Sequence, residues 1–271
     1  MKGSHLAASI AYALYALAWA YVWHMRALAS PVALSPLQYL IFPAINGLGA
    51  LPLYLIAEKK YGGIWGALFS VAYLLYFPLA GTDWSGGLAI FTVLFLFGYY
   101  LYTVNSKYSF ILLALASVTG WAPSLVSLIF SAYLAFRGGK RNIAYFAVSA
   151  ASLGLYSWFG FLPSFGMNFA GGLLALFLAL IPMLFTSLLD FYALALIPLA
   201  ALAIISPSYQ FPAIFTSGSL SAFIPFIFIS SLNSIGRITG WDRGRIKVAI
   251  LLILINVGMF AAAYQPYSPL N

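Results

Sequence analysis

The chain has 271 residues, 64% of them hydrophobic and 18% aromatic, and a mean hydropathy of +1.00. Lys and Arg number 12 against four Asp and Glu, for a net charge of +8, and there is no cysteine. These counts exclude disulfides, thiolate chemistry and iron–sulfur clusters, and they leave little acid for general acid–base, proton-coupled or metal chemistry.

The basic residues sit in short clusters between apolar runs. That is the pattern of cytoplasmic loops rather than of a nucleic-acid surface, so no nucleic-acid partner is expected. An apolar helix needs about 20 residues to cross a bilayer. The composition therefore predicts an all-α, polytopic transmembrane helix bundle, with residues 1–271 forming a single integral membrane domain in the cell membrane. The absence of Cys and the abundance of Tyr, Ile, Ala and Gly suit a thermophile.

Apolar stretches run over 6–23, 37–57, 64–81, 87–104, 110–119, 123–136, 143–160, 171–189, 191–206, 213–235 and 248–264. The first follows Met1-Lys2-Gly3-Ser4-His5 and reads as an uncleaved span, since no small-residue cleavage site is well placed after it. The second carries Pro43, Gly47, Gly49 and Pro52, and later stretches carry Pro182, Pro198 and Pro225. Such residues mark either kinks and close helix packing or a broken helix beside a cavity. The stretch 110–136 is interrupted at Thr119-Gly120-Trp121-Ala122-Pro123. As a hairpin of two short helices, it returns Arg137, Lys140 and Arg141 to the side of Lys59, Lys60 and Lys107, as the positive-inside rule prefers. The expected topology has about nine full spans and a half-depth hairpin at 110–136, with the N-terminus inside and the C-terminus outside.

Few residues can carry chemistry. His5 and His24 are the only histidines and lie at opposite ends of the first stretch, so they cannot pair as haem ligands to one iron. His24 could at most supply one ligand to a partner's cofactor. No cofactor is expected on this chain alone, and haem belongs to a partner if it is present. Asp83, in Gly81-Thr82-Asp83-Trp84-Ser85-Gly86-Gly87, is the one carboxylate expected on the outer side. It is the catalytic candidate if the chain is an enzyme, and otherwise a turn or cap residue. Asp190, in Ser187-Leu188-Leu189-Asp190-Phe191-Tyr192, either caps a helix at a tight turn or lies within the membrane. Glu58-Lys59-Lys60 reads as an interfacial ion cluster. The segment 237–247, with Arg237, Arg243, Arg245 and Lys247, could bind a lipid headgroup or pyrophosphate, or simply set topology. Asn46, Asn233 and Asn256 lie within apolar stretches as helix–helix hydrogen-bonding partners. There is no metal-ligand set, Walker A loop or Ser/His/Asp set.

Ser35-Pro36 through Pro43, and then Gly47-Leu48-Gly49-Ala50-Leu51-Pro52-Leu53-Tyr54-Leu55-Ile56-Ala57-Glu58-Lys59-Lys60-Tyr61-Gly62, resemble the early helices of polytopic GT-C-type glycosyltransferases. The resemblance covers about residues 34–160. It implies a polyprenyl-phosphate sugar donor and a catalytic Asp or Glu in the first outer loop. The corresponding loop, 24–35, contains no acid, so the resemblance implies a scaffold that has lost its catalytic acid. In size and character the chain also looks like the hydrophobic second subunits of archaeal membrane b-type cytochromes. The expectation is a non-catalytic polytopic membrane subunit that anchors or organises a partner in such an electron-transfer complex. Its expected partners are membrane lipids and other membrane or extracytoplasmic subunits, such as a cytochrome. The alternatives are a reduced GT-C-like transferase or lipid-handling protein, and a small-solute transporter.

Overall fold

The computed structural model describes residues 44–76, 89–136, 138–216, 219–238 and 242–263, with a few positions between 6 and 41. Helices α1 (Ala50–Tyr61) and α2 (Gly63–Leu74) form a first pair joined at Gly62. Helices α3 (Ile90–Thr103), α4 (Ser109–Ser117), α5 (Trp121–Phe136) and α6 (Lys140–Trp158) follow. Then come α7 (Phe169–Leu180), α8 (Ile197–Ile205), α9 (Ala213–Thr216), α10 (Ile224–Ile238) and α11 (Asp242–Ala263). Short 3-10 segments fill the chain between α7 and α8 and flank α9. No strand occurs among the described residues.

Helix α10 is the axis of the packing. Ile224, Phe226, Ile227, Phe228, Ile229, Ser230, Ser231, Leu232, Ser234 and Ile235 are all buried. A helix apolar around most of its circumference has to be enclosed by neighbours. Here α1, α2 and α3 and the 3-10 run 181–196 enclose it. Its aromatic rings pack closely: Phe226 lies tilted with its ring centre 4.6 Å from that of Phe95, and Phe228 lies edge to face at 5.3 Å from Tyr73 and 5.2 Å from Tyr76. Such pairs add about 0.5–1.5 kcal/mol beyond area burial. Buried hydroxyls tie in the neighbours: Tyr76 donates to the Ala179 carbonyl (2.7 Å), and Ser230 to the Ser187 carbonyl (2.6 Å). One close approach requires glycine: a Cβ at Gly172 would strike the Ala203 carbonyl, where α7 crosses α8.

The polytopic expectation is overturned. Among the described residues, no helix is long and apolar enough to cross a membrane. The polytopic transmembrane bundle and the cell-membrane location expected from composition are therefore corrected. The apolar stretches are divided before they reach spanning length. Stretch 37–57 turns at Leu48-Gly49, leaving α1 with 12 residues. Stretch 171–189 ends its helix at Leu180, passes Pro182 and turns through Leu184 and Phe185, both left-handed (φ 51° and 55°). Stretch 191–206 begins as a 3-10 segment and holds only the nine residues of α8. At 1.5 Å per residue, 9–16-residue helices reach about 14–24 Å, short of a core about 30 Å thick. Helix α6 has 19 residues but opens on Lys140-Arg141-Asn142, and α11 has 22 but opens on Asp242, Arg243, Arg245 and Lys247.

Within 110–136 the chain does divide into two helices, α4 and α5. The turn between them is closed by Ser124, whose hydroxyl reaches the carbonyls of Ser117 (2.7 Å) and Gly120 (2.8 Å). The first stretch, with both termini's expected placement, lies largely outside the described residues.

Candidate functional site

The most elaborate polar arrangement is built around Asp190. It sits between two 3-10 segments, Thr186–Leu189 and Phe191–Leu196, in extended backbone (φ −117°, ψ 156°). Two features force this geometry. Leu184 and Phe185 turn the chain through left-handed conformations, which bulky residues rarely adopt. The Asp190 carboxylate then caps the second segment, accepting the Tyr192 amide at 3.4 Å.

The same oxygen, Oδ2, accepts from Asn233 Nδ2 on α10 at 3.0 Å. Asn233 Oδ1 in turn accepts from Lys60 Nζ at the end of α1. A polar line thus runs from the exposed Lys60 through Asn233 to Asp190, which is only 6% exposed. Tyr99 of α3 closes the inner end. Its ring lies 5.9 Å from that of Tyr192. Burial pushes the Tyr99 hydroxyl well above the ordinary tyrosine range, and the nearby Tyr192 and Asp190 add to the shift. The phenol is therefore held neutral, as a hydrogen-bonding group rather than a base.

A cavity of about 190 Å³ opens beside this network, walled by Phe130, Tyr133, Phe191 and Tyr192. Tyr133 packs 4.6 Å from Phe191, and Phe130 packs 5.7 Å from Tyr192. Among the described residues no three His, Cys, Asp or Glu side chains gather where they could hold a metal. Chemically, one buried carboxylate with a capping amide and an asparagine donor is suited to fixing a strained segment onto the central helix.

Only some of the expected site residues fall on described elements. Asp83 and His24 lie outside the described residues. Arg237 belongs to α10 and Arg243 and Arg245 to α11, while Lys247 is exposed on α11. Asp190 is a cap, one of the two roles open to it. The asparagines act between segments: Asn46 Oδ1 accepts the Ala89 amide (2.7 Å), and Asn256 Nδ2 donates to the Pro182 carbonyl (2.8 Å). The joining of Asp190 to Asn233, Lys60 and Tyr99 was not read from the sequence. Its one signal was polar residues interrupting apolar stretches. No family model matches the chain, and no curated protein or solved structure is significantly similar to it.

Proposed function

We propose that this chain is a non-catalytic helical subunit that organises a partner protein through an exposed apolar surface. One observation carries the reading. Between the end of α6 and the start of α7, Trp158, Phe159, Phe161, Leu162, Phe165, Met167 and Phe169 are 53–86% exposed. Seven large apolar side chains within 12 residues form a concentration that a lone protein seldom leaves to water, and such patches mark contact sites. The segment is held in place: the Gly166 amide donates to the Ile205 carbonyl (2.9 Å), and Gln210 Nε2 donates to the Gly166 carbonyl (2.7 Å). Aromatic and Met side chains on a fixed backbone are the usual anchors of an interface. The occupation of Asp190 in capping and interhelical bonds supports a structural rather than catalytic use of the buried acid.

The test is capture of the tagged full chain from its native cells in mild detergent, with cross-linking and mass spectrometry. One protein recovered in fixed ratio and cross-linked at 158–169, and lost with Phe165→Asp, is the expected result. A chain that purifies alone, or a complex indifferent to Phe165→Asp, refutes the reading. In its finer form the partner is a haem protein of an electron-transfer complex, as the motif-poor, hydrophobic character of the sequence suggests. A Soret band in the visible spectrum of the same sample checks that form.

A further inference from the structure

At the far end of α3 a second cavity, of about 130 Å³, has a different chemistry. Its mouth is lined by Tyr102, Asn105, Ser106 and Arg141, and its floor by Leu113 and Leu134. The wall is fixed by the end of α3. Asn105 is left-handed (φ 56°), its amide donates to the Tyr102 carbonyl (3.0 Å), and the Ser106 amide donates to the Leu101 carbonyl (2.9 Å). This paired closure is a Schellman arrangement, with Asn where glycine is usual. The opposite wall is fixed by Asn142, whose amide group donates to the Leu134 (3.0 Å) and Gly138 (2.8 Å) carbonyls.

The Arg141 guanidinium, the Asn105 side-chain amide and the Tyr102 hydroxyl make no hydrogen bond or ion pair with any described residue. The Ser106 hydroxyl accepts the Tyr108 amide (3.3 Å), which leaves its own proton to donate. Lys107 and Lys140 stand next to lining residues, and no Asp or Glu lines the cavity.

We infer that this cavity binds a tetrahedral oxyanion of the phosphate class, either a free phosphate group or the phosphate of a lipid headgroup. A cavity of about 130 Å³ well exceeds the about 10–15 Å³ that a single water needs and has room for one phosphate group. Guanidinium matches such an oxyanion with paired, charge-assisted bonds, and the neutral amide and hydroxyl donors take the remaining oxygens. The lining carries no carboxylate to favour a cation, and Leu113 and Leu134 lower the local dielectric under the bound charge.

The test uses the full chain with two probes. Inorganic phosphate binding is read by calorimetry, and binding to phosphatidylcholine vesicles with and without phosphatidic acid is read by co-sedimentation. Arg141→Gln, at an exposed position without a partner among the described residues, should keep the helical circular dichroism and weaken binding about tenfold, with Arg141→Lys in between. Lys140→Gln, outside the lining, should change binding by less than about twofold. Arg141-dependent binding of inorganic phosphate assigns the site to a free phosphate group. Dependence seen only with phosphatidic acid vesicles assigns it to a headgroup. The proposal is overturned if neither probe responds to Arg141→Gln. It is also overturned if Lys140→Gln causes an equal loss, which would reveal a diffuse basic field rather than a site.

Discussion

Replacing Asp190 by Ala tests whether the buried carboxylate holds the strained segment to the central helix. The substitution removes the acceptor of the Asn233 amide group at 3.0 Å and of the Tyr192 amide at 3.4 Å. A hydrogen bond to a charged acceptor contributes about 1.5–3 kcal/mol. The longer amide contact is a cap, with a typical loss of about 1 kcal/mol. Together they predict a destabilisation of about 3 kcal/mol. For a chain of this size that is about 6–12 °C in Tm, at about 2–4 °C per kcal/mol. Asp190→Asn keeps a cap acceptor without the charge and should fall roughly midway. Thermal and urea unfolding of Asp190→Ala, Asn233→Ala and the double variant form a cycle, with an expected coupling of about 1–2 kcal/mol. A single-variant loss below about 0.5 kcal/mol, or strict additivity, would refute the reasoning.

Two further outcomes follow from burial and close contact. Burial pushes the Tyr209 hydroxyl from 10.0 up to about 12. Between those values the unfolded chain releases this proton before the folded one does. The stability from Tyr209 is thus full below about pH 10 and is lost as pH rises towards about 12. Urea unfolding across pH 9–12 should show Tyr209→Phe losing less stability than wild type, and parallel curves would contradict this. Gly172→Ala places a methyl against the Ala203 carbonyl, where backbone meets backbone, and should destabilise by about 1–3 kcal/mol. Gly154→Ala, at an exposed site inside α6 with open space around it, should instead raise stability by about 0.5–1 kcal/mol. Equal melting temperatures for these two variants would sink the packing argument.

The helical class was legible because the apolar runs are long and strands have no alternating pattern to grow from. So was the break between α4 and α5, where Gly120 and Pro123 interrupt the run. Helix ends elsewhere were not. Hydropathy over 171–189 is continuous, yet Pro182 lacks an amide proton and Leu184 and Phe185 turn left-handed, so the helix stops at Leu180. A window of hydropathy records which side chains leave water, not whether successive amides find carbonyls four residues back. The membrane crossings expected from the same windows are missing from the described helices for that reason.

The candidate site shows the same division. By itself the sequence determined that acids are few, that cations cluster between apolar runs, and that Asp190, Asn233 and Asn256 interrupt apolar stretches. These are properties of composition and local order. Only the tertiary structure decided that Lys60, Asn233 and Asp190 join, across separations of 173 and 43 residues. It likewise decided that Arg141 faces the turn at Asn105 across one cavity. Contacts so distant in sequence are set by how α1, α3 and α10 pack, and no local pattern of residues encodes that packing in a readable form.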